Sequence, residues 1–168
     1  MNIEIRNEIP ADVPAIAAVT TSAFLNAPHT GHNEQFIVSA LREAGQLAVS
    51  LVAVAEGKVI GHVAISPVSI SDGAPEWCGL GPMSVLPPYQ RRGVGARLMR
   101  EALRILREKG AAGCVVLGEP AYYGRFGFQA DPALVFPGAP PEYFQSLVFG
   151  SSGARGVVSY HAAFYQSH

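Results

Sequence analysis

Two glycines and two arginines stand between an apolar segment and a long amphipathic segment, in the stretch Gln90-Arg-Arg-Gly-Val-Gly-Ala. The first N–H groups of a helix have no acceptor within the helix, and the aligned peptide dipoles place partial positive charge there. A phosphate group can therefore accept several backbone hydrogen bonds at once. Gly93 and Gly95 lack the Cβ atoms that would keep such a group from the backbone. Arg91 and Arg92 add positive charge, so the stretch predicts a phosphate or pyrophosphate site.

Two familiar nucleotide motifs do not fit this stretch. A dinucleotide-binding fingerprint needs a third glycine at position 98, which is Leu98, and a P-loop needs a Gly-Lys-Ser/Thr sequence, which is absent. A purely structural interpretation also exists, in which Gly93 and Gly95 shape a tight turn and the arginines form a solvated face. The stretch by itself leaves both interpretations open.

A second motif, Tyr122-Tyr-Gly-Arg-Phe-Gly-Phe, lies further along the chain. Together the two motifs are similar to those of the GNAT superfamily of acetyl-CoA-dependent N-acetyltransferases, which have Gln/Arg-x-x-Gly-x-Gly/Ala and then Tyr-x-x-x-Gly-Phe after the fifth strand. The resemblance covers nearly the whole chain, and the second motif has the form typical of a branch of small bacterial acetyltransferases. It implies a mixed α/β, GNAT-like acyltransferase fold with a splayed central strand pair, and acetyl-CoA as the co-substrate.

The resemblance also implies which residues bind acetyl-CoA. The strand before the first motif would pair with the pantetheine arm, and the turn after it would hold the pyrophosphate, largely through backbone N–H groups. The residues implied to line the pantetheine and the thioester are Met83, Ser84 and Val85. Those implied to wrap the diphosphate are Arg91, Arg92, Gly93, Val94, Gly95 and Ala96.

Attack of an amine on a thioester forms an oxyanion and expels a thiolate, so the reaction needs an N–H donor and an acid. The resemblance implies that a backbone amide of residues 83–85 is the donor and that Tyr123 is the acid. The family tyrosine lies five residues before the Phe of Gly-Phe, here Phe128, which selects Tyr123 and leaves Tyr122 as a packing residue. A core aromatic with a satisfied hydroxyl is the alternative interpretation of Tyr123.

The acceptor amine must also lose a proton, because an alkylammonium with a pKa of about 10 is almost wholly charged at pH 7. A base or a water chain has to remove that proton. The candidate bases are Glu34, Glu76, Glu119 and His62. Glu34 is placed first as the catalytic base, because the first two helices of such proteins border the acceptor cleft. Each candidate also has a structural interpretation, as a solvated glutamate or a packed histidine.

The sequence therefore predicts an enzyme that transfers an acetyl group directly to the amine of a small acceptor, which the sequence does not identify. Cys78 and Cys114 have no evident His partner, which argues against a covalent enzyme intermediate. Two variable segments, residues 24–33 and 137–142, are apolar and weakly charged, which favours a small acceptor. The alternative function is an acyl-CoA-binding sensor or assembly protein with weak or no turnover.

The elements that must position these residues are strands and helices in alternation. Runs rich in β-branched residues predict strands over residues 3–5, 50–55, 59–65, 79–86, 114–117, 144–149 and 157–164. Apolar residues at helical spacing predict helices over 12–24, 33–44 and 94–109 and a helical turn over 121–126. Two glycines and Pro82 predict that the strand over 79–86 is bulged or splayed. The 94–109 helix should connect it to a parallel neighbour.

Length and composition limit the remaining possibilities. The 168 residues suit one domain over 1–168, and 49% apolar against 15% charged residues can form a sizeable core. A net charge of −1 gives no field that would gather nucleic acid or anionic membrane, and no apolar run approaches the roughly 20 residues of a membrane-spanning helix.

His29 and His32 lack a third ligand at suitable spacing, so no metal is expected. We expect a cytoplasmic protein, with a homodimer possible if the strand over 157–164 pairs between subunits.

Overall fold

The computed structural model describes residues 2–27, 32–150 and 153–165. The helices in these residues are α1 (Val13–Phe24), α2 (Glu34–Glu43), α3 (Val94–Glu108) and α4 (Pro120–Tyr123). The strands, in chain order, are β1 (Ile3–Asn7), β2 (Val49–Ala55), β3 (Lys58–Pro67), β4 (Ser69–Ile70), β5 (Trp77–Val85), β6 (Gly113–Leu117), β7 (Gln129–Ala130), β8 (Leu134–Val135), β9 (Phe144–Val148) and β10 (Gly156–Ser159). The predicted alternation of strands and helices is confirmed, with element ends that differ by a few residues.

A seven-stranded sheet with the order β1-β2-β3-β5-β6-β9-β7 forms the centre of the fold. Its neighbouring strands are antiparallel, except that β5 and β6 run parallel and are connected by α3 as predicted. A smaller sheet has the order β4-β10-β8. Its residues Ile70, Leu134 and Val158 share an apolar cluster with Trp77 and Val115 of the larger sheet, which joins the two sheets.

Helices cover both faces of the larger sheet. The apolar side of α3 is buried against residues such as Leu51 and Val63 of β2 and β3. On the opposite face, α1 and α2 pack against Val52 and Val59. Adjacent residues of a strand point to opposite faces, which is why Leu51 and Val52 belong to different clusters. Each face therefore has its own helix layer and its own apolar core.

The strands β5 and β6 separate partway along their length. β5 pairs with β3 from Cys78 to Val85 but with β6 only through Trp77, Cys78 and Gly79. Beyond Gly79, Gly81 has a φ of +134°, and Pro82 has no N–H to donate to a neighbouring strand. The predicted splayed strand is therefore confirmed, and residues 80–85 have a sheet edge that β6 does not cover.

The last strand is shorter than predicted. β10 ends at Ser159, and residues Ala162–Tyr165 form a 3₁₀ turn in place of the strand expected over 157–164. Both edges of β10 are paired within the chain, with β4 on one side and β8 on the other. The strand predicted over 157–164 therefore gives no support to the possible homodimer, which stays a prediction. In the described part of the chain no helix combines the length and the apolar composition needed to cross a bilayer.

Candidate functional site

A cleft of about 440 Å³ lies where β5 ends and α3 begins. Its walls come from the end of the strand, the connecting turn, the first turn of α3, and the segment around α4. The residues that line it are Met83, Val85, Tyr89, Gln90, Arg91, Gly93, Gly95, Ala96, Tyr122 and Arg125. The two sequence motifs, separated in the chain, thus border the same cleft.

The turn presents the start of α3 to this cleft. The Gln90 side-chain amide donates a hydrogen bond of 2.9 Å to the carbonyl of Val85, which ties the turn to the end of β5. Gly93 caps α3 with a φ of +82°, a left-handed conformation that favours glycine. The N–H of Arg97 bonds to the carbonyl of Gly93 at 3.1 Å, so the three preceding N–H groups of the helix, in residues 94–96, have no acceptor within it. These amides are the ones that the sequence predicts to bind a phosphate.

The hydroxyl of Tyr122 approaches the same turn. A Cβ added to Gly95 would lie 2.8 Å from the Tyr122 hydroxyl oxygen, which explains the need for glycine at this position. Burial raises the pKa of Tyr122, so its hydroxyl remains protonated and can donate a hydrogen bond. The family resemblance leaves Tyr122 as a packing residue, whereas in the structure Tyr122 lines the cleft. Two adjacent tyrosines in the second motif indicate that either ring could be functional, but spacing alone does not tell which ring faces the cleft.

Two arginines border the cleft in the described structure, and only one was predicted. Arg91 lines the cleft with a φ of +63°. The Arg92 guanidinium instead lies 6.0 Å from the centroid of the Tyr89 ring, outside the lining residues. Arg125, from the second motif, lines the cleft with its guanidinium 5.4 Å from the centroid of the Tyr122 ring. Arg125 was not predicted from the sequence, although it lies within the second motif.

Tyr123 lies deeper than Tyr122. The Tyr123 ring lies against Gly118, just beyond β6, where a Cβ on that glycine would clash with the ring. The ring also packs edge-on against the Phe128 ring, with the centroids 6.1 Å apart. Burial raises the pKa of Tyr123 to about 12. The hydroxyl is therefore protonated at neutral pH, beside the end of β6, where β5 and β6 have already separated.

Residues 83–85 of β5 alternate between the two faces of the sheet. Met83 and Val85 line the cleft on the α3 face. Ser84, between them, is 2% exposed, and its hydroxyl has no hydrogen-bond partner among the described residues. Of the three residues predicted to line the pantetheine, two therefore present side chains to the cleft, and Ser84 has only its backbone on that side. Val94 is likewise buried and is not among the residues that line the cleft.

The candidate bases lie outside this cleft. Glu34, Glu76, Glu119 and His62 are not among the described residues that line it. Glu34 is the first residue of α2, and its Oε1 is buried without a hydrogen-bond partner in the described structure. His62 is fully buried in β3. The described residues contain no cluster of three or more His, Cys, Asp or Glu suited to a metal ion, and His29 lies outside them.

Comparisons with known proteins agree on one family. The profile described as "Acetyltransferase (GNAT) family" matches residues 15–128. An N-acetyltransferase of Escherichia coli (strain K12) named YhbS is 37% identical over 167 residues, which cover 95% of this chain and 97% of that protein. A crystal structure of a GNAT family acetyltransferase from Brucella melitensis in complex with acetyl-CoA is 47% identical, covers 97% of this chain and 98% of its own, and has a TM-score of 0.87. The crystal structure of YhbS from Escherichia coli in complex with CoA is 36% identical to this chain. It covers 99% of this chain and 93% of its own, with a TM-score of 0.90.

Proposed function

The chain belongs to the GNAT family of acetyltransferases, and we propose that it transfers the acetyl group of acetyl-CoA directly to an amine of a small acceptor. One observation carries this proposal: the glycine turn, the row of free amides and the uncovered edge of β5 border a single cleft. Acetyl-CoA carries a pyrophosphate at one end and a thioester on an extended amide-bearing arm at the other. The two ends of the cleft match these two chemical parts.

The turn end of the cleft supplies donors for a pyrophosphate. The N–H groups of residues 94–96 start α3, where the helix dipole favours negative charge. Arg91 and Arg125 add two guanidinium groups, and Tyr122 adds a hydroxyl. Nothing lies within 4 Å of the position where a Cβ of Gly93 would stand, so a ligand can approach the backbone there. These features support the assignment of the diphosphate to this end.

The strand end of the cleft supplies an edge for the pantetheine arm. Residues 80–85 of β5 pair with β3 on one side, and β6 has moved away on the other. An unpaired strand edge offers N–H and C=O groups to any extended chain that carries amides. The pantetheine arm has two amides. The side chains of Met83 and Val85 then lie beside it, and a backbone N–H of residues 83–85 donates to the thioester oxygen as negative charge develops there.

Tyr123 is the proposed acid. The amine nitrogen bonds to the carbonyl carbon of the thioester, the C–S bond breaks, and the leaving sulfur takes the proton of the Tyr123 hydroxyl. Burial keeps this hydroxyl protonated until the step occurs, and the ring lies beside the end of β6, next to the gap. Glu34 is the base candidate that the family resemblance places first, and one of its carboxylate oxygens is buried and unpaired among the described residues.

The experiment that tests the proposed function uses the full chain and a panel of primary amines. Binding of acetyl-CoA is measured by titration calorimetry, and release of free CoA is followed with a thiol-reactive dye. We expect binding, together with CoA release that depends on one class of amine and a product heavier by one acetyl group. Binding without release across the panel would favour the sensor or assembly protein instead. Absence of binding would contradict both functions.

A further inference from the structure

Four polar side chains form a row on the face of the larger sheet that α1 and α2 cover. Glu8 follows β1, Ser50 lies in β2, His62 in β3 and Ser84 in β5. The Ser50 hydroxyl donates a hydrogen bond to Oε1 of Glu8, and its oxygen lies 2.8 Å from Nε2 of His62. Arg42 of α2 donates two further bonds of 2.8 Å each to the Glu8 carboxylate. The row crosses four neighbouring strands, from the edge of the sheet to the strand that borders the cleft.

The carboxylate at one end fixes the positions of the protons along the row. Burial opposes ionisation of Glu8, but hydrogen bonds from Arg42 and Ser50 lower its pKa. An ionised carboxylate only accepts hydrogen bonds, so the Ser50 hydroxyl must donate to it. The Ser50 oxygen then accepts from the Nε2–H of His62. A neutral imidazole with its proton on Nε2 has a free lone pair on Nδ1.

The other end of the row contains two unpaired polar atoms. Nδ1 of His62 and the Ser84 hydroxyl oxygen are both buried, and neither has a hydrogen-bond partner among the described residues. His62 is 0% exposed and Ser84 is 2% exposed. The two residues stand directly opposite each other across β3 and β5, so their side chains leave the same face with Cβ atoms about 5 Å apart. Unpaired buried polar groups cost stability, and these two lie together on the strands next to the gap, which makes them candidates for a role in the reaction.

The gap between β5 and β6 connects this row to the reacting atoms. Ser84 lies between Met83 and Val85, whose side chains line the cleft on the other face. Since β5 and β6 pair only as far as Gly79, no strand of the sheet pairs with residues 80–85 on that side. An acceptor that enters this gap from the face of α1 and α2 would meet the thioester at the level of Ser84.

We infer that His62 removes a proton from the acceptor ammonium through the hydroxyl of Ser84, an inference that rests on the proposed acetyl transfer. The Ser84 hydroxyl and Nδ1 of His62 are not hydrogen-bonded to each other in this structure, and such catalytic hydrogen bonds often form only in the complex with substrate. Once this bond forms, the ammonium proton passes to the Ser84 oxygen as the Ser84 hydroxyl proton passes to Nδ1 of His62. The neutral amine then forms the C–N bond, the C–S bond breaks, and the sulfur takes the proton of Tyr123. The nitrogen loses a second proton as the amide forms, and this proton restores the Tyr123 hydroxyl. For each acetyl group transferred, one proton therefore leaves through the row. His62 thus takes the role for which Glu34 was the first candidate.

Burial, more than the neighbouring charges, keeps the His62 ring neutral. Burial lowers the pKa of His62 to about 4, while Glu8 raises it and Arg42 lowers it. The packed helix α1 and strand β2 carry no charged residue, β5 carries the thiol of Cys78, and α2 adds Glu34 and Glu43 at its ends. The ring is therefore neutral at pH 7, with Nδ1 available, and an imidazolium formed there is short-lived.

The Glu8 end of the row offers a path by which the proton can reach solvent. Glu8, Arg42 and Ser50 line a cavity of about 730 Å³ at the β1 and β2 edge of the sheet, opposite the end that borders the cleft. When Nδ1 receives a proton, the Nε2 proton moves to Ser50 and the Ser50 proton moves to Glu8. Glu8 then releases the proton to solvent through this cavity. The outgoing proton thus leaves at the β1 and β2 edge of the sheet, away from the cleft proposed for acetyl-CoA.

The test combines kinetics with a measurement that needs no turnover. In His62→Gln the side-chain amide can still donate to Ser50, but no proton acceptor replaces Nδ1. We expect kcat with a primary alkylamine to fall about 10²-fold at pH 7 and acetyl-CoA affinity to stay the same. The deficit should narrow as the pH rises toward 10, because the amine is then increasingly neutral in solution. In the wild-type chain, nitrogen NMR of ¹⁵N-labelled histidine should show Nε2 protonated and Nδ1 unprotonated at pH 7.

Three further variants separate a role in the reaction from a role in folding. Ser84→Ala removes an unpaired hydroxyl, so the fold should persist while kcat falls as in His62→Gln. Ser66→Ala is the matched control, because Ser66 lies in β3 on the same face as His62, is 0% exposed and also has an unpaired hydroxyl in the described structure. It should keep the wild-type kcat. Glu34→Gln tests the competing base.

The kinetics of the variants and the NMR spectrum can each overturn the proton path through His62. Wild-type kcat in both His62→Gln and Ser84→Ala, or a loss confined to Glu34→Gln, would overturn the proton path through His62. A protonated Nδ1 in the NMR spectrum would overturn it independently of activity. A wild-type chain that binds acetyl-CoA and releases no CoA with any amine would instead overturn the proposed function, and the proton path with it.

Discussion

At the scale of single residues, the adjacent tyrosines of the second motif lie in different surroundings. The hydroxyl of Tyr122 reaches the turn at Gly95, where the diphosphate is proposed to bind. Tyr123 packs beside Gly118 and Phe128, next to the gap, with its pKa raised to about 12 by burial. We therefore propose the Tyr122 hydroxyl for binding of the diphosphate and the Tyr123 hydroxyl for proton donation.

Replacement of each tyrosine by phenylalanine separates these roles. In Tyr123→Phe the ring and its packing remain, so we expect kcat to fall about 10²-fold with acetyl-CoA affinity unchanged. In Tyr122→Phe, the matched control, we expect weaker acetyl-CoA binding and a kcat near that of the wild type. Steady-state CoA release and calorimetric titration measure the two effects. The opposite pattern would assign the acid to Tyr122.

His62 makes stability depend on pH in a predictable direction. Its pKa is about 4 in the folded chain and near 6.5 in the unfolded chain, so the unfolded chain binds the proton first as the pH falls. The stabilisation is complete above pH 6.5 and is lost between about 6.5 and 4, a decrease of about 3 kcal/mol in the free energy of unfolding. His62→Gln should lack this part of the slope when urea denaturation is measured at pH 7, 5 and 4. Equal slopes in both proteins would show that the pKa of His62 is the same in the folded and the unfolded chain.

At the scale of elements, the unit formed by β5, the turn and α3 does most of the positioning at the cleft. The Gln90 amide fastens the turn to Val85, and the left-handed Gly93 starts the helix with its free amides toward the cleft. Gly110 ends the same helix with a φ of +80° and open space around its Cβ position, far from the lining residues. The two glycines thus share a conformation and differ in location.

This pair of glycines allows a controlled substitution. Alanine at a positive φ costs about 1–2 kcal/mol, so Gly93→Ala and Gly110→Ala should lower the free energy of unfolding by similar amounts. Only Gly93→Ala places a methyl group where the diphosphate is proposed to approach, so only this variant should bind acetyl-CoA more weakly in calorimetry. Equal acetyl-CoA affinity in the two variants, with both folded, would contradict the assignment of the turn.

At the scale of the whole molecule, binding at the cleft should stabilise the entire fold. The cleft is built from β5, α3 and the α4 segment, which pack in one apolar cluster with β2 and β3. At 100 times the Kd, a ligand that binds only the folded chain adds about 2.7 kcal/mol, which for a chain of this size is a rise of about 5–10 °C in Tm. Thermal unfolding with and without acetyl-CoA measures this rise. Gly110→Ala, with a lower starting Tm, should show the same increment, and no increment in either protein would contradict binding at this cleft.

The local features of this protein can be predicted from short stretches of its sequence. The free amides at the start of α3, the left-handed Gly93 and the amphipathic side of α3 all follow from residues within a few positions of one another. Pro82 and its neighbouring glycines likewise predicted that β5 departs from a regular strand, as the structure confirms. Helix periodicity and turn chemistry are short-range properties, which is why they can be recognised without a fold.

Only the tertiary structure decided which distant side chains meet. Glu8 and Ser50 are 42 positions apart, and His62 stands opposite Ser84 only because of the register between β3 and β5. A register shifted by one residue would turn either side chain to the opposite face, and no local pattern specifies that register. The same reason explains why Ser84 faces away from the cleft and why Arg125 faces it. Side-chain direction depends on strand pairing and on helix packing, and these are set by the burial of the whole chain.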